Sequence, residues 1–162
     1  MTMEPVAVQP IGVLRTPFDN PENMPIQPVS SLAAKGRAIV FPEYSDGLFD
    51  LDGFSHVIII YHLHRIKRQE LIVTPFLDNT SHGLFATRAP VRPNPIGLSV
   101  VELEKIEDRT LYLANVDMLD GTPLLDIKPY VPDFDSFPLA QAGWYDKIDK
   151  KPENPHSDDR FI

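Results

Sequence analysis

A chain of 162 residues with no cysteine can bury one core unaided, and it excludes disulfide frameworks, thiol nucleophiles and cysteine zinc sites. A net charge of −8 argues against duplex DNA as a partner, because such binding neutralises many phosphates. The longest apolar run, Val57 to Tyr61, is far too short to span a bilayer. Residues 1–15 show no signal-peptide pattern, so the expectation is a soluble, cytoplasmic protein with no membrane partner.

Seventeen prolines are spread along the chain, which disfavours long helices at about 3 kcal/mol for each interior proline. Val6 to Leu14 reads as a first strand. Thr16 to Pro28 is a loop punctuated by Pro17, Pro21, Pro25 and Pro28. Arg37 to Phe41 is a strand, and Tyr44 to Leu51 a short helix or turn that ends at Asp52-Gly53. Phe54 to His64 carries the strongest strand signal, and its continuous apolar centre predicts burial on both faces. Leu71 to Phe76 is a shorter strand. Ile96 to Ile106 and Thr110 to Val116 flank Glu107-Asp108-Arg109, a hairpin signal. Leu124 to Tyr130 is a further strand. From Lys150 the chain is polar and holds Pro152 and Pro155. The expectation is one mainly β domain over 1–149, a small closed or nearly closed β-barrel with short helices and long proline-rich loops, followed by a loose tail over 150–162.

Positive charge is uneven. Between positions 62 and 92, Arg65, Lys67, Arg68, Arg88 and Arg92 stand against only Glu70 and Asp78. At the end of this segment lies Phe85-Ala86-Thr87-Arg88-Ala89-Pro90-Val91-Arg92-Pro93-Asn94-Pro95-Ile96-Gly97, with three prolines and two arginines. Each proline fixes its own φ and extends the residue before it, so the loop loses less entropy on ordering. A stiff cationic loop suits an anionic ligand, which an arginine fork grips in bidentate fashion. The competing reading is a pair of surface arginines facing acidic strands.

Leu119-Asp120-Gly121-Thr122-Pro123 is a tight turn. Its backbone N–H groups, the Asp120 carboxylate and the Thr122 hydroxyl can converge on one small molecule, as carboxylates do on ribose hydroxyls; an ordinary turn is the alternative. Asp126, Lys128 and Tyr130 share one face of a strand, as either a catalytic surface or a solvated one. His62 and His64 also share a face, and a metal site there would need His56 or His82 as a third ligand; no ligand spacing supports it. No phosphate-binding loop, dinucleotide fingerprint or nucleophile elbow is present.

Together these motifs resemble the TrmO, or TsaA-like, family of S-adenosylmethionine-dependent tRNA methyltransferases. The resemblance runs from Ile11-Gly12-Val13-Leu14-Arg15-Thr16-Pro17-Phe18 to Trp144. It rests on Gln27-Pro28, Gly53-Phe54-Ser55-His56, His64, the proline-arginine loop and Asp120 through Tyr130. It implies a β-barrel methyltransferase that uses S-adenosyl-L-methionine, works as a homodimer with the cofactor near the subunit interface, and methylates N6 of threonylcarbamoyladenosine beside the anticodon of tRNA. It places cofactor binding on Pro25, Gln27, His64, Arg65, Arg88, Leu98, Leu119, Asp120, Gly121 and Thr122. Arg92 and Asn94 then fall on the substrate side. Asp126 and Tyr130 become candidates for a base, and Lys128 for polarising the acceptor's carbonyl. Two positions depart from the family pattern: Ile26 stands where arginine is usual, and Ala89 where serine is. A methyltransferase with another acceptor, or a non-catalytic S-adenosylmethionine sensor, fits the same cofactor motifs.

Overall fold

The computed structural model describes residues 3–22, 24–28, 34–148 and 156–161. Six strands close into an antiparallel barrel: β1 (Gly12–Arg15), β2 (Lys35–Val40), β3 (His56–His62), β6 (Ile96–Glu107), β7 (Thr110–Ala114) and β8 (Pro123–Pro129). Around the barrel the order is β1-β2-β7-β6-β3-β8. Two short strands, β4 (Ile72–Val73) and β5 (His82–Gly83), pair separately. Closure comes from β8 meeting β1, with Gly12 opposite Leu124 and Val13 opposite Pro123. The Ile11 amide donates to the Leu124 carbonyl at 2.8 Å, and the Leu14 amide to the Thr122 carbonyl at 2.9 Å. A closed barrel leaves no strand edge open to aggregation. The expected architecture is therefore the observed one.

Alternation decides which side chains enter the barrel. Leu14, Ala38, Val40, Val57, Ile59, Val101, Leu103, Leu111, Leu113 and Leu124 form its core. On β3, Val57, Ile59 and Tyr61 are buried, whereas Ile58, Ile60 and His62 are half-buried. The continuous apolar centre of this strand thus buries one face, not two; the barrel wall covers Ile58 and Ile60 only partly. A bulge opposite Ile60 and Tyr61 leaves Leu125 as an extra residue on β8, and such bulges bend a strand near a barrel rim.

Element bounds shift for local reasons. The first strand starts at Gly12, because Pro5 and Pro10 supply no amide donor; Val6 and Val8 are exposed. The Leu71 to Phe76 segment keeps only Ile72–Val73 as strand. The hairpin forms with Glu107 opposite Thr110, and Asp108 takes a φ of 50°, as a two-residue turn requires. The helix or turn after β2 is a 3₁₀ helix, Pro42–Leu48, followed by a second, Leu51–Gly53. A one-turn α-helix, Pro132–Asp135, follows β8.

A second apolar cluster lies outside the barrel: Val73, Leu84, Ala89, Val91 and Phe161, with Ile66 and Phe76 against it. Phe76 and Phe161 meet edge to face at 5.0 Å. Residues 156–161, expected as part of a loose tail, are packed instead. Ser157 binds the carbonyl of Pro21 and the amide of Met24, and Phe161 is buried. The rest of that tail, 150–155 and 162, lies outside the described residues.

Candidate functional site

The proline-arginine loop owes its fixed shape to the second cluster. Ala89 and Val91 point into it while Arg88 stays exposed. This accounts for Ala89: at 6 % exposure a hydroxyl would need a buried partner. Arg92 folds back on the loop, where its Nη1 donates to the carbonyls of Thr87 and Ala89 and its guanidinium lies over the Phe85 ring. It braces the loop rather than entering a cavity. The Asn94 carbonyl accepts from the Ile96 amide at 2.7 Å, and its side chain is exposed.

Arg88 Nη1 donates to Gln27 Oε1 at 2.7 Å. These two residues, with Pro28, Leu98, Ser99 and Val100, line a cavity of about 190 Å³ on the barrel wall. Three of the expected cofactor residues, Gln27, Arg88 and Leu98, therefore meet at one place. Beside it opens a larger cleft of about 480 Å³, lined by Pro28, His56, Val100, Glu102, Asn115, Tyr130 and Asp135. The two hollows share Pro28 and Val100.

The turn before β8 forms a second group. Gly121 has a φ of 73°, which glycine adopts without the Cβ clash of other residues. Its amide donates to the Leu14 carbonyl, and the Thr122 amide to the Leu119 carbonyl. Asp120 Oδ1 accepts from the Thr16 amide and from Arg15 Nε, both at 3.0 Å, so one oxygen of this carboxylate serves the turn itself. Thr122 Oγ1 lies 3.4 Å from His64 Nδ1. Partial burial, then the charges of Arg65 and His62, lower the His64 pKa, so its imidazole is neutral at pH 7. Arg65 Nη1 is taken by the Asp19 carbonyl at 2.8 Å. Pro25 is buried and bridges to His156; it lines neither hollow.

The three residues expected on one face of β8 separate. Asp126 Oδ2 and Lys128 Nζ form an exposed ion pair at 2.8 Å, away from both hollows, while Tyr130 reaches the larger cleft. Because exposed pairs contribute little, Asp126→Asn is expected to change the unfolding free energy by less than ~1 kcal/mol. A larger loss in denaturant titration would show a structural role that the ion pair does not explain. Among the described residues no group of three metal-ligating side chains exists. His82 Nε2 pairs with Asp78 Oδ2 at 2.8 Å, and its ring stacks on Trp144.

Sequence reasoning missed the polar group beneath Arg88. Ser99 is 2 % exposed; its hydroxyl donates to Asp117 Oδ1 at 2.6 Å and lies 3.0 Å from the Tyr61 hydroxyl. Burial raises the Asp117 pKa to about 7, although the Ser99 bond, the backbone and Arg88 pull it down. Gly97 makes the arrangement fit, since a Cβ there would lie 2.3 Å from the Tyr61 ring. Gly97→Ala is expected to cost about 1–3 kcal/mol by overpacking. An unchanged Tm in thermal melts would mean that the ring yields freely.

The class that fold and site define is a closed six-stranded antiparallel β-barrel with a braced arginine loop and a glycine turn at its wall. Among known proteins, the family model of the tRNA-methyltransferase O N-terminal domain matches residues 13–136. The chain belongs to this TrmO N-terminal domain family. It is 49% identical over 157 residues to a Pyrococcus abyssi protein described as a probable S-adenosyl-L-methionine-binding protein, covering 97% of this chain and 85% of that one. It is 41% identical over 135 residues to the mouse (Mus musculus) tRNA (adenine(37)-N6)-methyltransferase, covering 79% of this chain but only 31% of that protein. The crystal structure of TrmO from Pseudomonas aeruginosa superposes with a TM-score of 0.73 at 39% identity, covering 86% of this chain and 62% of that chain. Among the described residues no helix is long and apolar enough to cross a membrane.

Proposed function

We propose that this chain is an S-adenosyl-L-methionine-dependent methyltransferase that acts on N6 of threonylcarbamoyladenosine beside the anticodon of tRNA. One observation carries the reading: Arg88, clamped by Gln27 on a loop with its own apolar anchor, borders a cavity walled by Leu98. The family and the names borne by its relatives support it. The donor, when bound, supplies an electrophilic methyl group on a sulfonium.

The residues fit such a ligand. The Arg88 guanidinium suits the methionyl carboxylate. The Leu98 wall does not over-stabilise the positive sulfur, whose charge vanishes in the transition state. Asp120, whose Oδ1 is held by Arg15 and Thr16, offers Oδ2 to the ribose hydroxyls, and Thr122 with neutral His64 faces the nucleoside. Leu119, Gly121, Arg65 and Pro25 shape that end of the site. Displacement needs nucleophile, methyl carbon and sulfur in line, so positioning contributes most. A cavity of about 190 Å³ falls below the range of sites that enclose a whole ligand of this size. A second copy of the barrel, in a homodimer, completes it.

The acceptor base enters the neighbouring cleft, where Tyr130 is the expected catalytic residue that touches it. Arg92 and Asn94 lie on the side from which tRNA approaches. The protein works in the cytoplasm, with residues 1–149 as the catalytic barrel. Incubating the purified chain with methyl-labelled donor and total tRNA tests the reading. Label in N6-methylated threonylcarbamoyladenosine is expected. Label in another nucleoside would change the acceptor. Binding without transfer would favour the sensor, a reading that the acidic lining of the cleft by Glu102 and Asp135 supports.

A further inference from the structure

Two loops meet at the cavity bordered by Arg88, and neither belongs to a barrel strand. One holds Pro21 and residues 24–28, Gln27 among them; the other, residues 84–95, carries Arg88. Both are tied to the same short segment, residues 156–161, which lines neither hollow. At one end, the Ser157 amide donates to the Met24 carbonyl at 2.8 Å. Ser157 Oγ accepts from the Met24 amide at 2.9 Å and donates to the Pro21 carbonyl. Pro25 bridges to His156 beside it, and Met24 is buried. At the other end, Phe161 is buried against Phe76 in the cluster that also holds Ala89 and Val91. Arg160 fixes that end. Its Nη1 donates to the Pro75 carbonyl, its Nε pairs with Asp158, and its own carbonyl accepts from Arg68.

Gln27 follows closely on the bridged Pro25, and Arg88 directly precedes the buried Ala89. The segment therefore joins the two supports of the Arg88–Gln27 contact, which links positions 61 apart. A lone side-chain hydrogen bond contributes about 0.5–1.5 kcal/mol. That is too little to hold two loops in register against a backbone entropy of about 1–2 kcal/mol per residue. The second link is of another kind. Both loops are fixed to one short segment, by backbone and hydroxyl bonds at one end and by aromatic burial at the other. Such a frame lowers the ordering cost that a ligand would otherwise meet, which is how preorganisation raises affinity.

We propose that residues 156–161 form a strap that sets the Gln27 loop against the Arg88 loop, with Ser157 and Phe161 as positioning residues for a cavity that neither of them lines. This rests on the reading that Arg88 and Gln27 bind S-adenosylmethionine, and it extends the machinery of that site to a segment remote from its motifs. The strap has a mechanical consequence. The Ser157 hydroxyl bonds to the first loop, yet its loss reaches the second loop through the strap. Because the two ends act as one unit, cutting either releases the same restraint, so the effects of cutting both do not add.

Two measurements test the strap. The first is amide hydrogen exchange in the ligand-free chain. The Ala89 amide, held by Thr87 Oγ1, is expected to exchange several-fold faster in Ser157→Ala than in the parent. In Ser157→Thr, which keeps the hydroxyl, the parent rate is expected. The second is calorimetric titration with S-adenosyl-L-methionine beside thermal melts. Ser157→Ala is expected to weaken binding about 3–10-fold with little change in Tm, and Ser157→Thr to restore it. Phe161→Leu is expected to weaken binding comparably, and the Ser157→Ala, Phe161→Leu double variant to lose no more than the larger single loss. In an Arg88→Ala background, Ser157→Ala is expected to cause no further loss, because the contact that the strap positions is gone. Equal losses in both backgrounds would show general loosening and overturn the positioning role. Parent-like affinity and parent-like Ala89 exchange in Ser157→Ala would overturn it too. A well-folded parent chain that takes up no S-adenosyl-L-methionine overturns the binding function itself, and Ala89 exchange then decides the strap alone.

Discussion

Replacing Arg88 by alanine is expected to weaken S-adenosylmethionine binding by about 10–100-fold, the worth of one or two charge-assisted hydrogen bonds. Thermal stability is expected to stay nearly unchanged. The two outcomes separate because the loop does not depend on this side chain. Ala89 and Val91 hold it through the second apolar cluster, and Arg92 ties it to the carbonyls of Thr87 and Ala89. Arg88 is exposed, and its hydrogen bond runs to Gln27 at 2.7 Å, itself a residue of the same cavity. Arg88→Lys keeps the charge but loses the planar fork, so it should recover only part of the affinity. Titration calorimetry beside thermal melts checks this. Full affinity in the alanine variant would remove Arg88 from the binding site.

The second large effect concerns Asp117 in the ligand-free chain. Its pKa is raised from 3.8 to about 7. A group whose folded pKa is raised contributes stability that is present below the unfolded value and lost as pH climbs through the folded one. Between pH 4 and pH 8, the chain should therefore lose about 2–4 kcal/mol relative to Asp117→Asn, whose amide does not titrate. Denaturant titrations of both proteins at the two pH values measure the difference. Parallel stability curves would show that the carboxyl is well solvated. The Ser99 bond, the backbone and Arg88 offset only part of this cost, because burial acts more strongly.

How much of this was legible beforehand differs by element. The spacing of Pro90, Pro93 and Pro95 announced a stiff loop, and the structure shows why it is stiff in place: Ala89 and Val91 are buried beneath it. Many short strands and few helices announced the barrel, and the Glu107-Asp108-Arg109 turn its hairpin between β6 and β7. Burial of both faces of β3 was misjudged because a run such as Val57 to Tyr61 reads alike whether its second face is covered or half open. The start of β1 slipped because valines at positions 6 and 8 suggest strand while the flanking prolines forbid pairing. Asp126 and Lys128 do share a face of β8, but Tyr130 lies past its end and reaches the larger cleft. What strand periodicity could not convey is that Asp126 and Lys128 satisfy each other in solvent.

Asp117 and Ser99 were invisible for a topological reason. They lie 18 positions apart, and they meet only because β6 and β7 form a hairpin whose far end returns beside the loop. A single aspartate after a strand and a single serine within one carry no periodic signal. Gly97 was equally silent, since only the Tyr61 ring packed against it explains the missing Cβ. The described part of the tail was missed likewise: Phe161 finds its partner, Phe76, far away in the chain.

The measurement that bears most directly on the whole account is a calorimetric titration of the purified, folded chain with S-adenosyl-L-methionine at pH 7.5. Saturable binding is predicted, with the heat sharply reduced when Arg88 is alanine. A protein that melts cooperatively yet shows no saturable uptake of that ligand would contradict it.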